Sequence, residues 1–255
     1  MCRRRRRGLA VGELAVFDRR SLIAKAEQFG MLSGENGLQF AEQVWFAITQ
    51  NPTLLRCDQT SVLRAAGWIA RLRLMPGREA YLVPFKSTAQ LIIGYNGYIN
   101  LAHRAGLRAI SAKPVYAADR FDFQLGTSAF LAHRPSTNAG RRTDDEITHA
   151  YCTWDDGGVR SFTVIDRDEI DRRRSLSRSS DRPDSPWQVH FPAMCAKSAC
   201  RAAAPQWPQE ADASRSIRFA LTVDDRDDGL RLPPPSEDFD VYVEGEGEAD
   251  EATPA

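Results

Sequence analysis

A chain of 255 residues with 34 basic and 34 acidic side chains has room for one large domain or two small ones, and its formal net charge of zero names no partner by itself. No apolar run is long enough to span a bilayer, and the arginine run at residues 3–7 is not followed by the apolar segment of roughly 7–15 residues that a secretory signal needs. The cysteines (Cys2, Cys57, Cys152, Cys195, Cys200) are odd in number and scattered, which suits reduced intracellular thiols; His190, Cys195 and Cys200 are five apart and share no helix face, so no metal site is expected there.

In chain order, residues 1–13 are a basic arm without apolar periodicity, expected to be disordered. Leu38, Ala41, Val44, Trp45 and Ile48 mark an amphipathic helix that Asn51-Pro52 ends. Thr60 or Ser61 is a candidate cap for a second helix along Val62, Ala65, Ala66, Ile69 and Leu72, whose opposite faces carry Arg64, Arg71 and Arg73. Pro76-Gly77 is a turn, and residues 81–85 read as a strand that Pro84 confines to an edge or an end. The stretch from Gln90 to Gly106 then changes period. Leu91 to Ile93 is a short apolar run ended by Gly94, which predicts a buried strand. Tyr95, Tyr98, Ile99 and Ala102 follow at helical spacing, with Gly106 at the C-terminal end. The other face of that helix carries Asn96, Asn100, His103 and Arg104, donors suited to phosphate, and the tyrosines are candidates for base stacking.

Strand-like pieces continue at residues 110–116, 120–124 and 129–133. Two more, at 146–154 and 159–165, flank Asp155-Asp156-Gly157-Gly158, a strong hairpin signal. Residues 166–174 look helical, 175–185 are rich in Ser, Arg and Asp and predict a mobile loop, and 187–203 predict a helix that Pro192 starts near Phe191. On it, His190, Met194, Lys197 and Arg201 share one face. The pattern predicts an α+β fold, a mostly antiparallel sheet bracketed by helices, over residues 14–208. Residues 209–255 read as an acidic, largely disordered tail with Pro233-Pro234-Pro235 as a stiff linker; Phe239, Val241, Tyr242 and Val243 are its apolar exception. From Pro208 onward there are 14 acids and 4 bases, so the preceding part holds 30 bases and 20 acids, a balance that fits a polyanionic ligand.

Several pieces, in their order and spacing, resemble the RecT family of phage-type single-strand annealing proteins. They are Asn51-Pro52, Cys57 to Ser61, Leu74 to Gly77, Ala80 to Phe85, Gln90 to Gly106, His133-Arg134-Pro135, Arg174 to Ser177, and Pro186-Trp187 with Met194 and Lys197. The resemblance implies ATP-independent binding of single-stranded DNA and annealing of complementary strands in homologous recombination. It also implies a homo-oligomer (ring or filament), a phage exonuclease and a host single-strand-binding protein as partners, and a bacterial cytoplasmic location without membrane contact. The chain departs from the family pattern at Asn96, where Lys or Arg is common, and at Ser198-Ala199-Cys200, where the family has a denser basic cluster. The candidate DNA contacts are Lys86, Gln90, Tyr95, Tyr98, Arg104, Lys113, Arg174, Ser175, Lys197 and Arg201. Trp187 reads as a buried anchor, and Gly94, Gly97 and Gly106 as backbone requirements.

No Gly-x-x-x-x-Gly-Lys-Ser/Thr segment is present to bind a nucleotide. The carboxylate pairs Asp144-Asp145, Asp155-Asp156, Asp224-Asp225 and Asp227-Asp228 fall in expected turns or the acidic tail, which turn chemistry explains better than a two-metal centre. No cofactor is expected, with Mg²⁺ at most moderating phosphate repulsion. The competing readings are a divergent nuclease or other DNA-modifying enzyme, which would shorten or alter a labelled strand, and a non-annealing single-strand or RNA-binding module, which would slow pairing.

Overall fold

The computed structural model describes residues 17–137, 142–177, 180–208 and 212–227. The expectations for the basic arm, the proline tract and Phe239 to Val243 lie outside the described residues. Helices α1 (Arg19–Ile23), α2 (Ala26–Ser33), α3 (Gly37–Thr49) and α4 (Gln59–Leu72) come first, followed by the hairpin β1 (Ala80–Phe85) and β2 (Thr88–Ile93) and by helix α5 (Tyr95–Arg104). Strands β3 (Arg108–Tyr116), β4 (Arg120–Gln124), β5 (Phe130–Arg134), β6 (Ile147–Asp156) and β7 (Val159–Asp166) lead to α6 (Arg167–Leu176), α7 (Pro186–Val189), α8 (Phe191–Ala203) and α9 (Asp212–Asp227). The fold is α+β. Its described strands form three antiparallel groups, β1-β2, β4-β5 and β3-β6-β7, where one main sheet was expected.

Local chemistry sets most boundaries. Asn36 caps α3 through Leu38 and Gln39 N–H. The helix buries Phe40, Ala41, Val44 and Ile48 but leaves Leu38 and Phe46 in solvent, so Leu38 does not belong to the core line expected of it. Asp58, not Thr60 or Ser61, caps α4, its carboxylate accepting from Ser61 N at 2.8 Å. The Ser61 hydroxyl instead accepts from Ala89 N at 2.9 Å and so pins β2 to α4. Gly97 is required by close approach: a Cβ there would stand 2.5 Å from the Glu79 carbonyl oxygen. Gly106 ends the α5 turn at φ +93°, a backbone that favours glycine. Gly157 and Gly158, at φ +58° and +94°, make the tight β6–β7 turn that their sequence predicts.

Helix α8 lies against one face of β3-β6-β7. Small residues on both sides permit the approach: Ala196, Ala199, Cys200 and Ala203 on the helix, Ala112, Ala150 and Cys152 on the strands, all buried. Burial of this apolar surface supplies the main stabilising term. Over the other face lies the β4-β5 hairpin, with Phe121 stacked on Tyr151 at 5.9 Å between centroids and Phe123 edge-on to His149.

The boundary expected near Pro208 is not where packing ends. Residues 212–227 form α9, whose Ile217, Phe219, Ala220 and Val223 are buried among α4, α5 and β2. An amphipathic helix inside the acidic stretch belongs to the core because its apolar face is too large to leave in water.

Candidate nucleic-acid interface

A cleft of about 660 Å³ opens between α3, the β1-β2 hairpin, the start of α5 and the α7–α8 corner. Phe46 (67% exposed), Tyr81 (40%) and Val189 (57%) stand on its walls, and Tyr95, Met194 and Lys197 line it further in. Burial, then the neighbouring Tyr95, push the Tyr81 phenol up. The structure thus brings together two of the expected contacts, Tyr95 and Lys197, with Asn96 and His190 on the same lining.

Below the cleft, Asp224 of α9 gathers three elements. Its Oδ1 lies 3.1 Å from Lys197 Nζ on α8 and accepts from Ile93 N on β2 at 3.4 Å; its Oδ2 accepts from Tyr98 Oη on α5 at 2.6 Å and stands 3.9 Å from Arg201 Nε. Lys197 and Arg201 do share a helix face, but neither ends in solvent: their side chains are 7% and 12% exposed because α9 covers them. Tyr98 is fully buried, so it does not stack on a base in this conformation. Asp224 is likewise no tail carboxylate.

The polar face of α5 is also occupied locally. Asn100 donates to Glu79 Oε1 at 2.9 Å, His103 Nδ1 lies 3.1 Å from the Leu107 carbonyl, and Arg104 donates to the Leu72 carbonyl at 2.6 Å, closing the C-terminal end of α4. Burial and the nearby Arg73 lower the Arg104 pKa, partly offset by Glu79. Arg174 lies over the Phe191 ring at 5.5 Å, with Arg167 at 5.1 Å, and the Ser175 hydroxyl donates to the Arg172 carbonyl. Trp187 is the buried anchor expected, 6.0 Å from Phe191. Lys86 sits exposed in the β1–β2 turn at φ +55°, Gln90 is half-buried on β2, and Lys113 is exposed on β3 opposite Tyr151.

Sequence reasoning did not single out the network at the base of β4-β5. Asp119, whose side chain has no solvent exposure, accepts from Tyr116 N, Ser136 N, Arg142 and His133 Nε2, and the other His133 ring nitrogen lies 3.2 Å from Tyr151 Oη. Burial alone raises the Asp119 pKa, but these donors outweigh it and hold the carboxyl below its ordinary value. The signal available was His133-Arg134-Pro135 beside an acid in a turn. Three of the described thiols are poor nucleophiles: burial pushes Cys195 up to about 12, burial and then Asp58 raise Cys57, and the Cys152 thiol with burial raises Cys200. Among the described residues no three His, Cys, Asp or Glu side chains are grouped to hold a metal ion, and no helix is long and apolar enough to cross a membrane.

Residues 38–231 match the RecT family, from α3 through α9. The chain belongs to the RecT family. It is 34% identical over 201 residues to protein RecT of Escherichia coli (strain K12), covering 72% of each chain. It is 22% identical over 187 residues to the uncharacterized protein YqaK of Bacillus subtilis (strain 168), covering 71% of this chain and 63% of that one. RecT-family proteins act in recombination and strand annealing. The match runs past Pro208 to the end of α9, in agreement with the packing of that helix.

Proposed function

We propose that this RecT-family protein binds single-stranded DNA and anneals complementary strands without hydrolysing a nucleotide. The observation that carries this reading is the family match over residues 38–231, which includes most of the core, the cleft and α9. Charge supports it. With α9 counted in the body, residues 1–227 hold 33 bases and 25 acids, so a polyanion is attracted. A basic surface neutralises phosphates and releases counterions, the bases stay open to a second strand, and pairing supplies the free energy. Assembly of subunits along the strand sums weak contacts, and the exposed apolar side chains of Met31, Leu38 and Phe46 offer surface for such assembly. Lys86, Gln90, Tyr95 and Lys113 remain the strand contacts of this reading.

The test mixes purified full-length protein with a labelled oligonucleotide and its complement, without ATP. Pairing should be faster than the spontaneous rate and the labelled strand should keep its length. Slower pairing would mean a passive binder, and a shortened or altered strand an enzyme.

A further inference from the structure

The β4-β5 hairpin pairs with no other described strand and turns its two faces to different surroundings. Its inner face, Phe121, Phe123 and His133, lies on Tyr151 and His149. Its outer face, exposed along both strands, carries Arg120 directly opposite Arg134, Asp122 opposite Ala132, and Gln124 opposite Phe130. At the tip, Leu125 and Phe130 are 65% and 43% exposed. Like charges directly opposite on a two-stranded ribbon destabilise it. Several other arginines of this surface meet carboxylates: Arg19 with Glu42, Arg142 with Asp119, Arg172 and Arg173 with Glu169, Arg182 with Asp184. Arg120 and Arg134 make no ion pair or hydrogen bond with any described residue, and Asp122 on the same face pairs with neither.

From this juxtaposition we propose that the outer face of β4-β5 is a phosphodiester-binding site, in which Arg120 and Arg134 grip the backbone of a DNA strand and Phe130 stacks on one of its bases. The proposal rests on the DNA-binding reading above and adds residues to it. Directly opposite residues bring their Cβ atoms within about 4.5–5.5 Å, so both guanidinium forks reach one stretch of backbone. The planar forks match phosphate oxygens, and a bound anion removes the repulsion that the empty ribbon carries. Phe130 lies on the same face toward the tip, as a stacking platform beside a backbone track requires. The Asp119–His133–Tyr151 network holds the base of the hairpin, which fixes the arginines relative to the sheet.

The experiment uses the full chain and a fluorescein-labelled oligothymidylate, with anisotropy read across a salt series. Each phosphate contact to a single strand contributes a log–log salt slope of about 0.7, so R120Q/R134Q should flatten the slope by about 1.4 and weaken binding roughly 25-fold at about 0.1 M salt. F130A should weaken binding at every salt concentration and leave the slope unchanged. R20Q/R56Q, two exposed arginines on α1 and in the turn that follows α3, removes the same charge elsewhere and serves as control. The melting temperature of R120Q/R134Q should equal or exceed that of the wild type, since a repulsive pair is gone. Unchanged affinity and slope in R120Q/R134Q, or an equal loss in the control, overturns the site while the DNA-binding reading stands. A wild-type chain that does not bind the oligonucleotide overturns both.

Discussion

Asp224 shows how one side chain changes the role assigned to others. Read from spacing alone, Lys197 is a solvent-facing cation one turn from Arg201 and a natural partner for phosphate. In the folded chain its ammonium is buried 3.1 Å from Asp224, which also takes the Tyr98 hydroxyl. Removing one member of a buried ion pair leaves the other uncompensated, so Lys197→Ala should cost on the order of 3 kcal/mol of stability. A surface cation would cost less than about 0.5 kcal/mol. Urea unfolding of the purified variant decides between them, and an unchanged midpoint would put Lys197 back in solvent. Any loss of DNA binding by this variant must therefore be read against its folded fraction. Arg104, Asn100 and His103 follow the same logic. Each has the chemistry to meet a phosphate, and each has a backbone or carboxylate partner within the fold. Residue type was legible in the sequence; the partners of Lys197, Asn100 and Arg104, set by elements more than twenty residues away, were not.

At the scale of elements, legibility depended on whether a local pattern stood out from its background. The β2–α5 junction was readable because the period changes abruptly at Gly94 and because Gly106 closes the helix. The Asp-Asp-Gly-Gly turn between β6 and β7 and the start of α8 at Phe191 were readable from turn and proline chemistry. Helix α9 was not, although Ile217, Ala220, Leu221 and Asp224 fall on one face. Averaged with the acidic residues after it, that face disappeared into the composition of a tail. Helices α1 and α2 are short and carry no strong periodicity, so they were missed outright. The packing of α9 makes a sharp prediction about where the chain can be cut. Burial of Ile217, Phe219 and Val223 is worth about 1.5–3 kcal/mol each as an upper estimate, which is comparable with the whole stability of a typical domain, roughly 5–15 kcal/mol. Ending the chain at Gln209 also strips the partner from Lys197 and Tyr98. That truncation should melt far below the full chain or fail to fold, while a chain ending after Arg231, where the family match ends, should melt as the full chain does. Circular dichroism melts of the two truncations beside the intact protein make the comparison, and equal melting temperatures would show α9 to be dispensable to the core.

For the whole molecule, the formal neutrality divides at a different point once α9 is counted with the body. Residues 228–255 hold nine acids and one base, a charge of −8, and residues 1–227 carry +8. The two parts attract each other, and a DNA strand meets that attraction as competition for the same cations. The interaction between exposed charges is screened over about 10 Å at 0.1 M salt and about 3 Å at 1 M. Removing residues 228–255 should therefore tighten binding of single-stranded DNA at low salt, leave it nearly unchanged at high salt, and steepen the log–log salt slope, because the intact chain has already exchanged part of its counterions for its own carboxylates. Anisotropy titrations of the intact and shortened chains with the same oligonucleotide, from about 50 to 500 mM salt, measure all three. If the two chains bind alike at low salt, the acidic residues do not reach the DNA-binding surface. If the shortened chain keeps its melting temperature and yet loses binding, those residues belong to the site itself, and the division between a basic body and a competing acidic segment is wrong.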